Sequence, residues 1–223
     1  MRTYALGVRQ GRVTRVAAVL LAVAGVTYND WLLQFLVPTG LDQRNSYVSE
    51  VFAADQPYRV VFGGIEVATA LLVMFGALLG ASVAPRGWAV AGWGAMVAFG
   101  LFSVADVALP MHCAPSLEPG CPVDNIWHTL TSGLVHFALF ASMASFIVVL
   151  GSVPAGPRLA GRCARWLLPA SMAAAISSVG PYVGRPGGQG VAQRIHLVTV
   201  AVWLCLLAVE LVRDRSCPES TCP

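Results

Sequence analysis

"TRVAAVLLAVAGVTYNDWLLQFLV", residues 14–37, is the stretch on which the fold turns. Crossing the roughly 30 Å hydrocarbon layer of a membrane takes roughly 20 consecutive apolar residues in a helix, and this run is long enough. Arg9, Arg12 and Arg15 precede or open it and small residues lie at Ala24-Gly25, as in a cleaved secretory leader. A leader, however, has an apolar core of only about 7–15 residues, whereas this run continues through Trp31-Leu32-Leu33 and Phe35-Leu36-Val37. The stretch therefore reads as a retained first membrane span. It also contains Asp30, and a lone carboxylate facing hydrocarbon is costly.

The composition agrees with a chain that lives in lipid. It is 57% hydrophobic and 11% charged over 223 residues, where soluble domains carry about a quarter charged residues. All fourteen basic residues are arginine, the net charge is +3, and no basic stripe with interleaved aromatics occurs. A nucleic acid partner is set aside on that ground. Five more segments qualify as spans, at about 58–83, 88–110, 126–150, 165–181 and 194–212, separated by proline- and glycine-rich turns. The fifth is short and contains Pro169, which a membrane helix tolerates when neighbours satisfy the freed carbonyl. The expectation is an all-α, six-span bundle over 14–212, with a short segment 1–13 before it and a disordered tail 213–223. With both termini in the cytoplasm, ten arginines fall on that side and only Arg44, Arg59, Arg185 and Arg194 on the other, the bias that sets topology. The lipid bilayer is thus the first partner; no internal repeat is visible, and the oligomeric state is not legible.

Apart from Glu210 at the inner end of the sixth span, the acidic and histidine side chains lie toward one end of these spans. Asp30 and Asp106 are near the outer ends of the first and third, Glu66 near the outer start of the second, and His128 and His136 in the outer half of the fourth. Arg194 and His196 open the sixth. Residues three or four apart share a helix face, so Thr27-Asp30-Gln34, Ser103-Asp106, His128-Ser132-His136 and Gln193-His196-Thr199 form polar stripes, and Glu66 shares a face with Thr69. Such stripes turn away from lipid, toward the bundle interior or a wet cavity. Two readings stay open for each residue: interhelical hydrogen-bond glue, worth about 0.6–2 kcal/mol, or membership of a shared pocket opening outward.

Cys113 and Cys121 flank "APSLEPG" in an outer loop, and their separation suits a small disulfide-closed loop in an oxidising compartment. A metal site using His112 and those thiols is the competing reading, without a usual zinc spacing. Cys163 and Cys205 read as small hydrophobes. Cys217 and Cys222 fall in the tail, where they are expected to be reduced. The first outer loop, "LDQRNSYVSEVFAADQPYR" (41–59), is long enough for a short amphipathic helix lying over the pocket as a lid; a plain solvated connection is the alternative.

Four stretches together, "SYVSEVFAADQPYR" (46–59), "DVALPMHCAPSLEPGC" (106–121), "WHTLTS" (127–132) and "GVAQRIHLVTVAVWL" (190–204), resemble the membrane family catalogued as domain of unknown function 998. The resemblance runs from the first outer loop through the last span, and the Cys-Ala-Pro-Ser stretch with its second cysteine is the most specific part. Members often carry an acidic residue where this chain has His112, so position 112 inherits no role. The resemblance implies a polytopic bundle in the cytoplasmic membrane, common in actinobacteria, and supplies no activity.

Chemistry must come from the site. A carboxyl group surrounded by hydrocarbon favours its neutral form and becomes a usable general acid. Asp30, Glu66 and Asp106 are therefore candidate catalytic acids, with His128 or His136 to accept a proton. The expected substrate is amphiphilic or isoprenoid, bound by Trp31, Gln34, Phe62, Phe102, Arg194 and His196, with aromatic faces shielding cationic intermediates as in a terpene cyclase (a lyase or isomerase of secondary metabolism). No cofactor is expected. Metal-assisted lipid hydrolysis through His128, His136, His196 and Asp106 is a weaker variant, since His128 and His136 stand about 12 Å apart along a helix axis. A transporter, lipid carrier or assembly partner is the non-enzymatic alternative, against which the one-sided placement of charge argues.

Overall fold

Inside hydrocarbon every backbone N–H and C=O needs an internal partner, so apolar runs of this length fold as helices. The computed structural model describes residues 2–84, 87–123, 125–152 and 158–213. They form six α-helices: α1 (Arg2–Thr27), α2 (Arg59–Val83), α3 (Trp88–Ala108), α4 (Ile126–Ser152), α5 (Arg158–Ser177) and α6 (Gln189–Arg213). Short 3-10 helices follow at Asp30–Phe35, Val48–Phe52 and Gly180–Val183, and there is no strand among the described residues. Each helix packs on its neighbours in sequence, and α6 returns to α1, so the six close into a ring.

Five helical segments are long and apolar enough to cross a membrane: Gln10–Phe35, Arg59–Val83, Trp88–Ala108, Ile126–Gly151 and Gln189–Arg213. The chain is thus a multi-pass membrane protein, and these spans carry exposed apolar side chains such as Val60, Phe75 and Phe137 for contact with lipid. The segment expected as a fifth span at 165–181 differs. There α5 begins at Arg158, carries Arg162 and Arg165 on its exposed surface, and ends at Ser177. It nevertheless fills the ring between α4 and α6. The first span also departs from expectation. Its α-helix stops at Thr27, because the Asn29 side chain donates back to the Gly25 carbonyl at 3.0 Å, the local competition by which asparagine ends helices. Apart from Arg213, the expected tail, with Cys217 and Cys222, lies outside the described residues.

Helices in lipid associate through close packing of small residues. A Cβ at Gly100 would lie 2.7 Å from the Ala70 carbonyl oxygen, which fixes the α2–α3 approach, and one at Gly161 would lie 2.5 Å from the Phe146 carbonyl oxygen, which fixes α4–α5. At the end holding the termini, the ring interior is filled by Trp93, Phe146 and Trp203, with ring centroids 5.5 Å apart at each step. Met96, Leu139, Met143 and Leu207 complete this core, all fully buried. The other end is where the polar residues gather.

Candidate active site

The recess at that end is a cavity of about 80 Å³ between α2, α3, α4, α6 and the chain just after α1. Asp30, Glu66 and Asp106 line it from three different elements, and His136 and Ser132 face them from α4. Tyr28 stands among the three carboxyls, with its ring packed 5.8 Å from Phe99. Ser103, only 2% exposed, adds a hydroxyl oxygen that has no hydrogen-bond partner among the described residues.

Asp106 is the most firmly held of the acids. The Thr131 hydroxyl donates to its Oδ1 at 2.6 Å and the Ser132 hydroxyl donates to the same oxygen at 2.8 Å. His128 Nδ1 lies 3.2 Å from Oδ1 but without the alignment of a hydrogen bond. With Oδ1 taken as a double acceptor, any proton on this carboxyl sits on Oδ2, the oxygen left for the cavity. His136 is oriented in the same manner. Its Nδ1 meets the Ser132 carbonyl oxygen at 2.6 Å, so Nδ1 donates and Nε2 keeps the lone pair. His196 stacks on the His136 ring, 4.5 Å between centroids and nearly parallel. It is held from behind by Ser171 on α5, whose hydroxyl is 3.0 Å from His196 Nδ1.

Residues 41–56 form a partial roof over the recess. Its short helix Val48–Phe52 places Val48, Val51 and Phe52 on the cavity, which gives the expected helix over the pocket a 3-10 geometry. Two buried charges pin this roof. Arg194, 7% exposed, donates to the carbonyls of Gln43 (2.7 Å), Ser46 (3.1 Å) and Gly190 (3.0 Å) and to the Gln34 side chain (2.9 Å) and the Gln43 side chain, and lies over the Trp31 ring. Glu50, 1% exposed, accepts from the Tyr47 N–H at 2.7 Å and from the Ser116 N–H and hydroxyl at 2.9 and 2.6 Å. Ser116 belongs to the loop closed by the Cys113–Cys121 disulfide, which forms as expected. Gln193 on α6 accepts from the Val48 N–H at 2.6 Å, and the Tyr47 hydroxyl donates to the Ser178 carbonyl at 2.7 Å. Burial holds the Tyr47 phenol well above its ordinary range, so it remains a donor at every physiological pH.

A second space adjoins the recess. An apolar cleft of about 380 Å³ runs between α4 and α5, past Gly133, Phe140, Ala175, Ile176 and Val179. Recess and cleft share Ser49, Ser132, His136 and Gln193 on their walls. The site is therefore amphiphilic: an acidic chamber joined through His136 to an apolar slot.

Residues 30–210 match the family described as protein of unknown function DUF998. The chain belongs to this family. No curated protein and no solved structure matches it. The DUF998 match covers the roof and, Tyr28 apart, the lining of the recess, from Asp30 to Glu210 in α6.

Within this DUF998 chain, Asp30, Glu66, Asp106 and His136 share the recess, and His128 meets Asp106 from the cleft side. The six residues expected to bind substrate line neither space. Gln34 and Arg194 hold the roof, and Trp31 packs under that guanidinium. Phe62 sits in a small cluster with Leu41, Val51 and Phe52, while Phe102 packs against the main core. His196 lies behind His136. The predicted stripes divide likewise: Thr69 donates to Thr27 at 2.8 Å, and Thr199 to Ser171 at 2.8 Å, as interhelical glue. Among the described residues no three of His, Cys, Asp and Glu converge as a metal-ligand set, so His128, His136, His196 and Asp106 do not form the centre that metal-assisted hydrolysis requires. Tyr28, Thr131 and Glu50 went unmarked by the sequence; Tyr28 is two residues from Asp30, a spacing that a continuous helix would send to different faces.

Proposed function

We propose that this protein is a membrane-embedded enzyme that holds the reactive group of an amphiphilic substrate in the acidic recess and its apolar part in the cleft. The observation that carries the proposal is the shared wall: His136 borders both spaces, beside an Asp106 whose Oδ2 is left for the chamber. Oδ2 of Asp106 delivers a proton to the bound group and Nε2 of His136 takes one up, the pairing by which positioned side chains act as general acid and base. The aromatic plug of Trp93, Phe146 and Trp203 below the chamber supports a closed-bottomed site rather than a path for transport. An isoprenoid is one amphiphile of this kind. Cyclisation would need aromatic faces around a cation, and Tyr28 and Phe52 are the aromatics bordering the recess, so the proposal stops at proton transfer.

In this reading all six helices cross the cytoplasmic membrane, α5 included, with both termini inside and the recess facing out. The arginine bias supports that orientation, as does the Cys113–Cys121 bridge, which belongs to an oxidising compartment.

The test compares lipid extracts by mass spectrometry from host cells carrying the wild type, Asp106→Asn, His136→Gln or empty vector, at matched protein levels. The wild type consumes or forms a lipid species, and either substitution slows that conversion about a hundredfold or more. Extracts indistinguishable between wild type and empty vector would overturn the enzymatic reading.

A further inference from the structure

We infer that Asp30, Glu66 and Ser103 form a recognition site for a cationic head group, so that the amphiphile is a long-chain primary amine or a related ammonium lipid. This names the substrate class of the site proposed above and rests on that proposal.

The acids outnumber the cations in the recess. Among the described residues the one basic side chain beside a recess carboxyl is His128, whose Nδ1 lies 3.2 Å from Asp106. Asp30 and Glu66 have no basic partner among the described residues, and Arg194, the buried arginine at this end, gives its Nη donors to Gln34, Gln43, Ser46 and Gly190. Carboxyl groups withdrawn from water without a partner favour their neutral form, and a cation placed between them favours the ionised form and is attracted by it. The Ser103 hydroxyl is an independent sign of a missing group, since it is buried beside the carboxyls with its oxygen unpartnered. An ammonium has three N–H donors and no acceptor. Asp30, Glu66 and Ser103 offer three acceptors for it, from three elements around one chamber.

A bare metal ion fits less well, because the acidic and histidine side chains do not close to ligating distance around one point. The chamber also shares the walls Ser49, Ser132, His136 and Gln193 with the apolar slot between α4 and α5, which a bare ion would leave unused. A charged head on an alkyl chain uses both spaces, with the head among the acids and the chain passing His136 along Phe140 and Ile176.

The experiment measures thermal unfolding of the full chain in phosphatidylcholine nanodiscs, titrated with dodecylamine or with dodecanol. A ligand of the native state raises the midpoint with its own saturation curve. Dodecylamine is expected to saturate at a concentration about 30-fold or more below dodecanol. Glu66→Gln abolishes that preference, Glu66→Asp retains it, and Gly133→Trp, which fills the cleft, weakens both ligands. Equal binding of amine and alcohol by the wild type, or an amine preference that survives Glu66→Gln, would refute the cationic site and spare the amphiphile cleft. Binding of neither compound, or unchanged binding of both by Gly133→Trp, would refute the cleft reading and the inference with it.

Discussion

Replacing Arg194 with alanine is expected to lower the unfolding free energy by about 3–5 kcal/mol, the range for stripping a buried charge from its partners, and to free the roof from the bundle. The guanidinium is buried and serves three backbone carbonyls and two side-chain amide oxygens, all within the loop 34–46 or the first turn of α6. Each hydrogen bond from a charged donor contributes about 1.5–3 kcal/mol. Truncation also leaves the Gln43 and Ser46 carbonyls without that donor, and Trp31 without its stacked cation. Arg194→Lys is expected to recover little of the loss. An ammonium is a compact point charge and cannot span acceptors held by a planar fork. Denaturant unfolding in micelles measures the effect, and limited proteolysis between residues 38 and 58 reports the roof directly. A loss below about 1 kcal/mol, the level of an ordinary surface contact, would mean that the roof is held by something else.

Glu50→Ala is expected to cost about 3–4 kcal/mol by the same measurement, from three hydrogen bonds to a charged acceptor. Its two carboxylate oxygens divide the work: Oε1 caps the 3-10 helix at Tyr47, and Oε2 binds Ser116 in the disulfide loop. Glu50→Gln is expected to fare nearly as badly, because an amide has one acceptor oxygen and would turn a donor toward another donor. The two roof sites also meet at Ser46. Its carbonyl accepts from Arg194, and its hydroxyl lies 2.7 Å from the hydroxyl of Ser116. The double variant should therefore lose less than the sum of the single losses, the signature of a shared network. Strict additivity would show that the two charges anchor the roof independently.

The sequence made the depth of the polar residues legible, because charge placement along an apolar run survives errors of a few residues in helix ends. Asp30, Glu66, Asp106 and His136 could be assigned to one end of the spans and do share a chamber. The disulfide was legible for a similar reason, since Cys113 and Cys121 are close in the chain and enclosed by proline and glycine. What periodicity could not convey was the break after Thr27. A helix continued to residue 37 would set Gln34 beside Asp30; the turn at Asn29 instead sends Gln34 to the roof and brings Tyr28 among the acids. Glu50 and Arg194 look like ordinary loop and helix-end charges in the sequence. Their burial depends on contacts across 66 and 148–151 residues of chain, which no local pattern encodes. Phe62 and Phe102 pack outside both spaces, because a hydrophobic pattern gives the depth of an aromatic ring but not the neighbour it packs against.

Glu66 and Asp106 are expected to face one chamber that is accessible from the disulfide-loop side and sealed toward the termini. The direct measurement uses Glu66→Cys and Asp106→Cys, each in a chain whose Cys163, Cys205, Cys217 and Cys222 are serine, with a membrane-impermeant cationic thiol reagent applied to one side of sealed vesicles at a time. Both cysteines are expected to react when the reagent is on the disulfide-loop side and to stay unmodified when it is on the side of the termini. Reaction from the terminal side, or at one position without the other, would contradict a single recess closed at its base.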